Sequence, residues 1–241
     1  MNTERLKPSQ PVSTTIKTNP TQITSNGLLI YLDAKNYSGS GTTWPDSSGN
    51  NNNATIVNSP TFVSAGDASY FNMVTANSTH FTLPTNSFDL VSNGFTYFGV
   101  ADFGNVNDYE RLMDFGGGSA SDNILFFRNA STTTCRAEIY IGSSMLAGIE
   151  IPNGIISGMA FYAFRCSGST LSIWSNSIKY TSDSIIKPRI VSRTNNYLGR
   201  SNWANAYFDT KYAAFGLWNR GLSDEEIYSV YSVYKDRYGL A

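Results

Sequence analysis

Short apolar stretches, each cut off by a turn signal, limit most strongly what this chain can fold into. LLIYLDA (28–34), FTYFGVADF (95–103), NILFFRN (123–129) and CRAEIYIG (135–142) read as strands. So do MAFYAFRC (159–166), STLSIWS (169–175), NYLGR (196–200) and KYAAFGLWN (211–219). Between them lie PDSSGNNNN, FGGGSASDN, IGSS, PNG, CSGS and RSNWAN, rich in residues that turn a chain. Many short strands with closely spaced turns indicate an antiparallel sandwich or barrel. Runs such as AAFGLW, apolar at every position, predict strands covered on both faces. No internal repeat points to a solenoid or propeller.

At 241 residues, with 41% hydrophobic and 15% charged, the chain suits one large β domain that can bury its own core without disulfides or metal. The aromatic share of 14% favours strands over long helices. A net charge of −1 and scattered Lys and Arg leave no positive footprint for nucleic acid. No apolar run is long enough for a membrane span, and MNTERLKPSQPVSTT has no apolar core of a secretory signal. Residues 1–25 are dominated by Lys, Thr, Ser, Pro and Gln and cannot bury enough apolar surface to order themselves. They are expected to form a flexible or extended arm, with residues 26–241 as the domain.

Cys135 and Cys166 make neither a disulfide framework nor a zinc site. If SMLAGIEI lies between their strands in a meander, two strand steps separate them by about 10 Å. That exceeds the limit of about 7 Å between Cα atoms for a disulfide, so two free, buried thiols are expected. One helix is predicted at the C-terminus. Ser223 and Glu226 have the spacing of a capping box. Ile227, Val230, Tyr231 and Tyr234 then make one apolar face, and Gly239 is a natural stop. That face should pack on a sheet.

Two stretches carry a family resemblance. GLLIYLDAKNYSGSGTTWPDSSGNNNNATIVNSP (27–60) resembles the opening of laminin-G-like, concanavalin A-like lectin/glucanase domains, where Leu-Asp-Ala precedes Trp-x-Asp-x-Ser-Gly-Asn. YLGRSNWANAYFDTKYAAFGLWNRGLSDEEIYSVYSVYKDRYG (197–239) is similar to the family's closing strand and helix. The resemblance implies an all-β fold: an antiparallel two-sheet jelly-roll sandwich with one short C-terminal helix. Within it Trp44 should plug one end of the sandwich, and Asp46 should fix the following turn by accepting backbone amides.

Some relatives of this kind hydrolyse glycans, with the motif Glu-x-Asp-x-x-Glu or one residue more. Here Glu138 is followed by Ile139, Tyr140, Ile141 and Gly142, so that motif is absent. Asp108 and Glu110 are the nearest short-spaced acidic pair, in the loop-like NVNDYERL. His80, the single histidine, reads as a surface strand residue. No nucleophile elbow or phosphate loop is present. A non-enzymatic chain with no catalytic residues is therefore expected. The resemblance also implies calcium at the rim, held by oxygen ligands. Asp67, Asp114, Asp122 and Asp209 are the candidates, and which of them converge stays open.

Sugar rings present apolar faces and hydroxyl edges, so a glycan site needs a flat aromatic beside amides or acids. Trp203, flanked by Asn202 and Asn205 in RSNWANAY, fits best. Trp174 is second, because alternation turns Leu171 and Ile173 inward and Trp174 away from them. The leading expectation is a lectin-like structural component of a virion or extracellular surface assembly, held to other structural proteins by residues 1–25. The alternative is a carbohydrate-binding adhesion module for surface glycans, with or without calcium, and a glycoside hydrolase ranks below both.

Overall fold

Residues 23–86, 88–104, 107–184, 186–205 and 207–241 are described by a computed structural model. Their strands begin with β1 (Leu28–Asp33), β2 (Thr43–Trp44), β3 (Ala54–Val57), β4 (Thr61–Val63), β5 (Tyr70–Met73) and β6 (His80–Leu83). The central group is β7 (Phe95–Asp102), β8 (Arg111–Gly116), β9 (Ile124–Arg128), β10 (Cys135–Ile141) and β11 (Ser144–Ile151). The last are β12 (Ala160–Ser167), β13 (Thr170–Ser175), β14 (Ile178–Asp183), β15 (Asn195–Leu198) and β16 (Thr210–Trp218), followed by helix α1 (Asp224–Tyr238).

The strands form two antiparallel sheets packed face to face: of the sandwich or barrel that the turn spacing allows, the sandwich that the family resemblance implies. The first sheet runs β14-β13-β12-β7-β16-β5-β4, and β1 also pairs with β16. β16 is long enough to hold β5 along Thr210–Tyr212 and β1 along Ala214–Trp218 on the same edge. The second sheet runs β11-β10-β9-β8-β15-β6-β3-β2. The inner faces share one core in which Trp44 is wholly buried against Phe71 and Phe81.

The outer face of the first sheet is buried as well. Phe98, Val100, Phe161, Ala213 and Trp218 pack beneath Ile227, Val230, Tyr231 and Tyr234 of α1. This explains why β7 and β16 are apolar along almost their whole length. The helix starts at the expected capping box, with Ser223 Oγ accepting from the Glu226 amide and the Glu226 carboxylate accepting from the Ser223 amide. Gly239 closes it in the left-handed conformation.

β1 would otherwise present a free edge. Asp46 closes it: Oδ1 accepts from the amides of Tyr31 and Ser48, and Oδ2 accepts from Ser48 Oγ and the Asn52 amide. Asn50 and Asn52 donate from their amide groups to the Leu29 carbonyl. The Asn-rich turn thus covers a strand edge with side chains, a common way of blocking edge-to-edge association.

Three expectations need correction. Residues Ile23–Ser25, the end of the expected arm, belong to the body together with Asn26. Ile23 packs on the helix-side cluster, and the carbonyls of Thr24 and Asn26 accept from Trp218 Nε1 and Arg220 Nε at 2.8 Å each. The rest of the expected arm, residues 1–22, lies outside the described residues. The meander around the cysteines does not form: β11 stays in the second sheet while β12 crosses to the first. Cys135 and Cys166 are free and buried, but on opposite sheets. His80 is buried, because the loop after β15 folds over it.

Candidate functional site

The two outer faces differ. α1 covers the first sheet, whereas among the described residues no α-helix packs on the outside of the second. Side-chain alternation loads that open face with charge and aromatic rings. In β10, Cys135, Ala137 and Ile139 enter the core, which turns Arg136, Glu138 and Tyr140 outward. In β9, Ile124 and Phe126 face inward and Phe127 outward. A bulge in β8 between Arg111 and Met113 allows Leu112 and Met113 both to enter the core, leaving Arg111 outside.

Register then assembles a row across four strands: Arg111 opposite Phe127, Phe127 opposite Arg136, and Arg136 opposite Glu150. Arg136 meets Glu150 at 3.1 Å and Glu138 at 2.6 Å. Gly148 stands opposite Glu138, and a Cβ there would lie 3.3 Å from an Arg136 nitrogen and 3.4 Å from Glu138 Cγ. The missing side chain leaves the ion pair its room. Burial raises the Glu138 carboxyl above the usual carboxylate range, although Arg136 and Arg111 pull it down. Tyr140 is raised by burial and by the Glu138 charge.

A loop closes over this row. It leaves β15 at Gly199, whose φ of +75° suits glycine, and it is tied by the Phe208 amide to the Gly199 carbonyl at 2.9 Å. Within it the Trp203 amide donates to Ser201 Oγ, which donates to Asn205 Oδ1, and Asn205 Oδ1 also accepts from Arg111 Nη2. Trp203 is half-buried, its ring centre 5.5 Å from that of Tyr140 and 5.7 Å from the Arg111 guanidinium. Tyr109, 39% exposed, borders the same patch against Phe127.

Of the residues expected to meet a glycan, Trp203 and Asn205 therefore lie on this face. Asn202 does not serve as expected: its amide and side chain are committed to the Asp114 carboxylate, both at 2.9 Å, and they anchor the loop. Trp174 is also corrected. It faces away from Leu171 and Ile173, but onto the helix-covered side, where it is only 6% exposed. Arg165 and Lys179 close over its ring, each held by Asp224. Sequence reading missed Arg111, Glu138 and Tyr140, which only strand register brings under Trp203.

The four aspartates proposed for calcium do not share a site. Asp67 pairs with Lys35, and Asp209 accepts from the Thr75 amide. Asp122 is bound bidentately by Arg189, whose hydrogen bonds hold its carboxyl below the usual range. Asp114 is wholly buried among Asn123, Asn202 and Arg111, with its carboxyl raised by burial. Among the described residues no three His, Cys, Asp or Glu side chains converge, so the side chains do not fit the calcium expectation. No helix among them is long and apolar enough to cross a membrane.

No family model and no curated protein matches the sequence. Solved structures do share the fold. Trypanosoma rangeli sialidase in complex with 2,3-difluoro-KDN matches with a TM-score of 0.63 at 14% identity, over 89% of this chain and 33% of that one. The binding domain of botulinum neurotoxin DC in complex with SialylT matches with a TM-score of 0.63 at 11% identity, over 87% and 51%. The binding domain of Paraclostridial mosquitocidal protein 1 gives 0.66 at 14% identity, over 90% and 56%. The chain thus spans about a third of the sialidase and about half of the toxin binding domains. At these identities the likeness establishes the two-sheet sandwich. It also corrects the expectation of a non-enzymatic chain, because this fold recurs within sialidase polypeptides. Absence of one glucanase motif does not exclude an enzyme.

Proposed function

We propose that this protein is a carbohydrate-binding module whose glycan lies on the open face of the second sheet, against Trp203. One observation carries the reading. Among the described residues, the sheet face that α1 does not cover holds a half-buried tryptophan with two tyrosines, bordered by the Arg136–Glu138–Glu150 ion pairs. Aromatic rings suit the apolar faces of sugars, and the charged border suits their hydroxyls. The neurotoxin domain of the same fold was solved with SialylT, which supports the reading.

A glycan array probed with the full chain tests it, followed by calorimetry on the best ligand. Binding should weaken at least about tenfold in Trp203→Ala, about 1.4 kcal/mol, while Trp174→Phe leaves it unchanged. An empty array, or full affinity in a folded Trp203→Ala, removes the proposal.

Hydrolysis is a second reading, favoured by Glu138. A carboxyl raised by burial beside a tyrosine is a candidate general acid. Release of sugar from a panel of sialosides and neutral glycosides, lost in Glu138→Gln, would establish it. A role as a virion or surface-assembly component rests on the composition of residues 1–25 alone. Removal of residues 1–22 should abolish incorporation while glycan binding persists, and normal incorporation would end that role.

A further inference from the structure

Arg200 opens the same loop that carries Trp203, yet its surroundings differ from those of the other arginines. Arg111, Arg128, Arg136, Arg165, Arg189, Arg220 and Arg237 each stand within 4.0 Å of a carboxylate. Arg193 is wholly buried and donates to the carbonyls of Asp122 and Arg189. Among the described residues Arg200 alone is a partly exposed arginine outside any ion pair.

Its position is built. The guanidinium lies 4.3 Å from the ring centre of Tyr197 and 5.9 Å from that of Tyr207. Nη1 stands 3.4 Å from Nε2 of His80. The other histidine nitrogen, Nδ1, lies 2.9 Å from the Ser78 carbonyl, which can only accept, so Nδ1 carries the proton and Nε2 is the acceptor. Burial and the Arg200 charge both push the His80 imidazole below its ordinary value, which keeps it neutral. A neutral histidine and two phenol rings orient the cation without neutralising it.

We propose that Arg200 receives the carboxylate of an acidic sugar, a sialic or uronic acid unit, in a nest walled by Tyr197, Tyr207 and His80. An arginine fork matches a carboxylate through two parallel N–H···O bonds, and tyrosine rings beside it exclude competing water. Tyr197 shares a cross-strand row with Asp114, on the face that Trp203 covers. Arg200 and Trp203 are three positions apart, at most about 11 Å of chain, so one oligosaccharide can reach both. The inference rests on the glycan-binding reading and assigns its ligand class.

Calorimetry with the full chain compares 3′-sialyllactose with lactose, and a glucuronate-terminated oligosaccharide with its glucose-terminated counterpart. The acidic member of at least one pair should bind about tenfold tighter, and the pair identifies which acid is read. Arg200→Gln should bring that ratio near one while the neutral member of the pair still binds. Arg200→Lys should restore part of the preference and keeps the test alive if the glutamine variant is unstable. Equal affinity for acidic and neutral members, or a ratio that survives Arg200→Gln, overturns the acidic-sugar site alone. Failure of every probe and of the array overturns the glycan reading itself and this inference with it.

Discussion

The guanidinium of Arg111 lies 4.4 Å from the centre of the Phe127 ring, the residue directly opposite it across the β8–β9 ladder. It thereby joins the sheet to the loop above through Asn205 Oδ1, and it also donates to the Tyr109 carbonyl just before β8. A buried cation of this kind is held by geometry as much as by charge, since its nearest carboxylate, Asp114, stands 3.8 Å away.

Arg111→Gln should free the Trp203 loop. Loss of the two hydrogen bonds and the ring contacts is expected to cost about 2–4 kcal/mol in urea unfolding. Tryptophan emission should shift red in Arg111→Gln but not in the Arg111→Gln, Trp203→Phe double variant. Wild-type stability and emission in Arg111→Gln would show that the loop holds itself.

A second prediction concerns pH. Glu110 is wholly buried against Arg128 at 2.8 Å, and desolvation raises its carboxyl to about 7 despite that partner. A carboxyl raised on folding binds its proton more tightly in the folded state. Its contribution to stability is therefore fully present below about 4.5, its ordinary value, and is lost as pH rises through about 7. Melting curves from pH 4 to 8 should show a decline in the wild type that Glu110→Gln lacks. Parallel curves would assign the decline to other groups.

Much of this architecture is legible in the sequence because local chemistry specifies it. Ser223 and Glu226 announce the helix start, and the unbroken apolar runs of β7 and β16 announce strands covered on both sides. Strands β2 to β6 are only two to four residues long, too short for periodicity to stand out. The site is less legible for a different reason. Arg111, Phe127, Arg136 and Glu150 sit on four strands and become neighbours only through register. Trp203 could be found alone, as an aromatic in a polar loop. His80 could not be placed, since the residues that bury it, Tyr197 and Tyr207, lie more than a hundred positions away.

The docking of Ile23–Asn26 separates two truncations. Removing residues 1–22 should leave the melting temperature unchanged. Removing residues 1–26 takes away the carbonyl acceptor of Trp218 Nε1, a buried donor, and the Asn26 carbonyl that receives Arg220. An orphaned buried donor costs about 1–3 kcal/mol. Equal stability of the two truncated chains would mean that this N-terminal contact contributes nothing.

Asp46 holds the Asn-rich turn from outside the core. Its two oxygens accept four hydrogen bonds, at 2.7 to 2.9 Å, that pin the Asn-rich turn along the edge of β1. Asp46→Ala removes both acceptor oxygens and with them all four hydrogen bonds, the one from the Tyr31 amide included. A loss of about 2–4 kcal/mol is expected, since hydrogen bonds to a charged group contribute about 1.5–3 kcal/mol each and water replaces those at the exposed rim. Asp46→Asn keeps one acceptor oxygen and should lose roughly half as much. The freed edge of β1 is also a template for pairing with a second chain, so Asp46→Ala should aggregate on mild heating where Asp46→Asn does not. Light scattering during a thermal ramp measures this, and a clear, monomeric Asp46→Ala would show that the turn holds its place without the carboxylate.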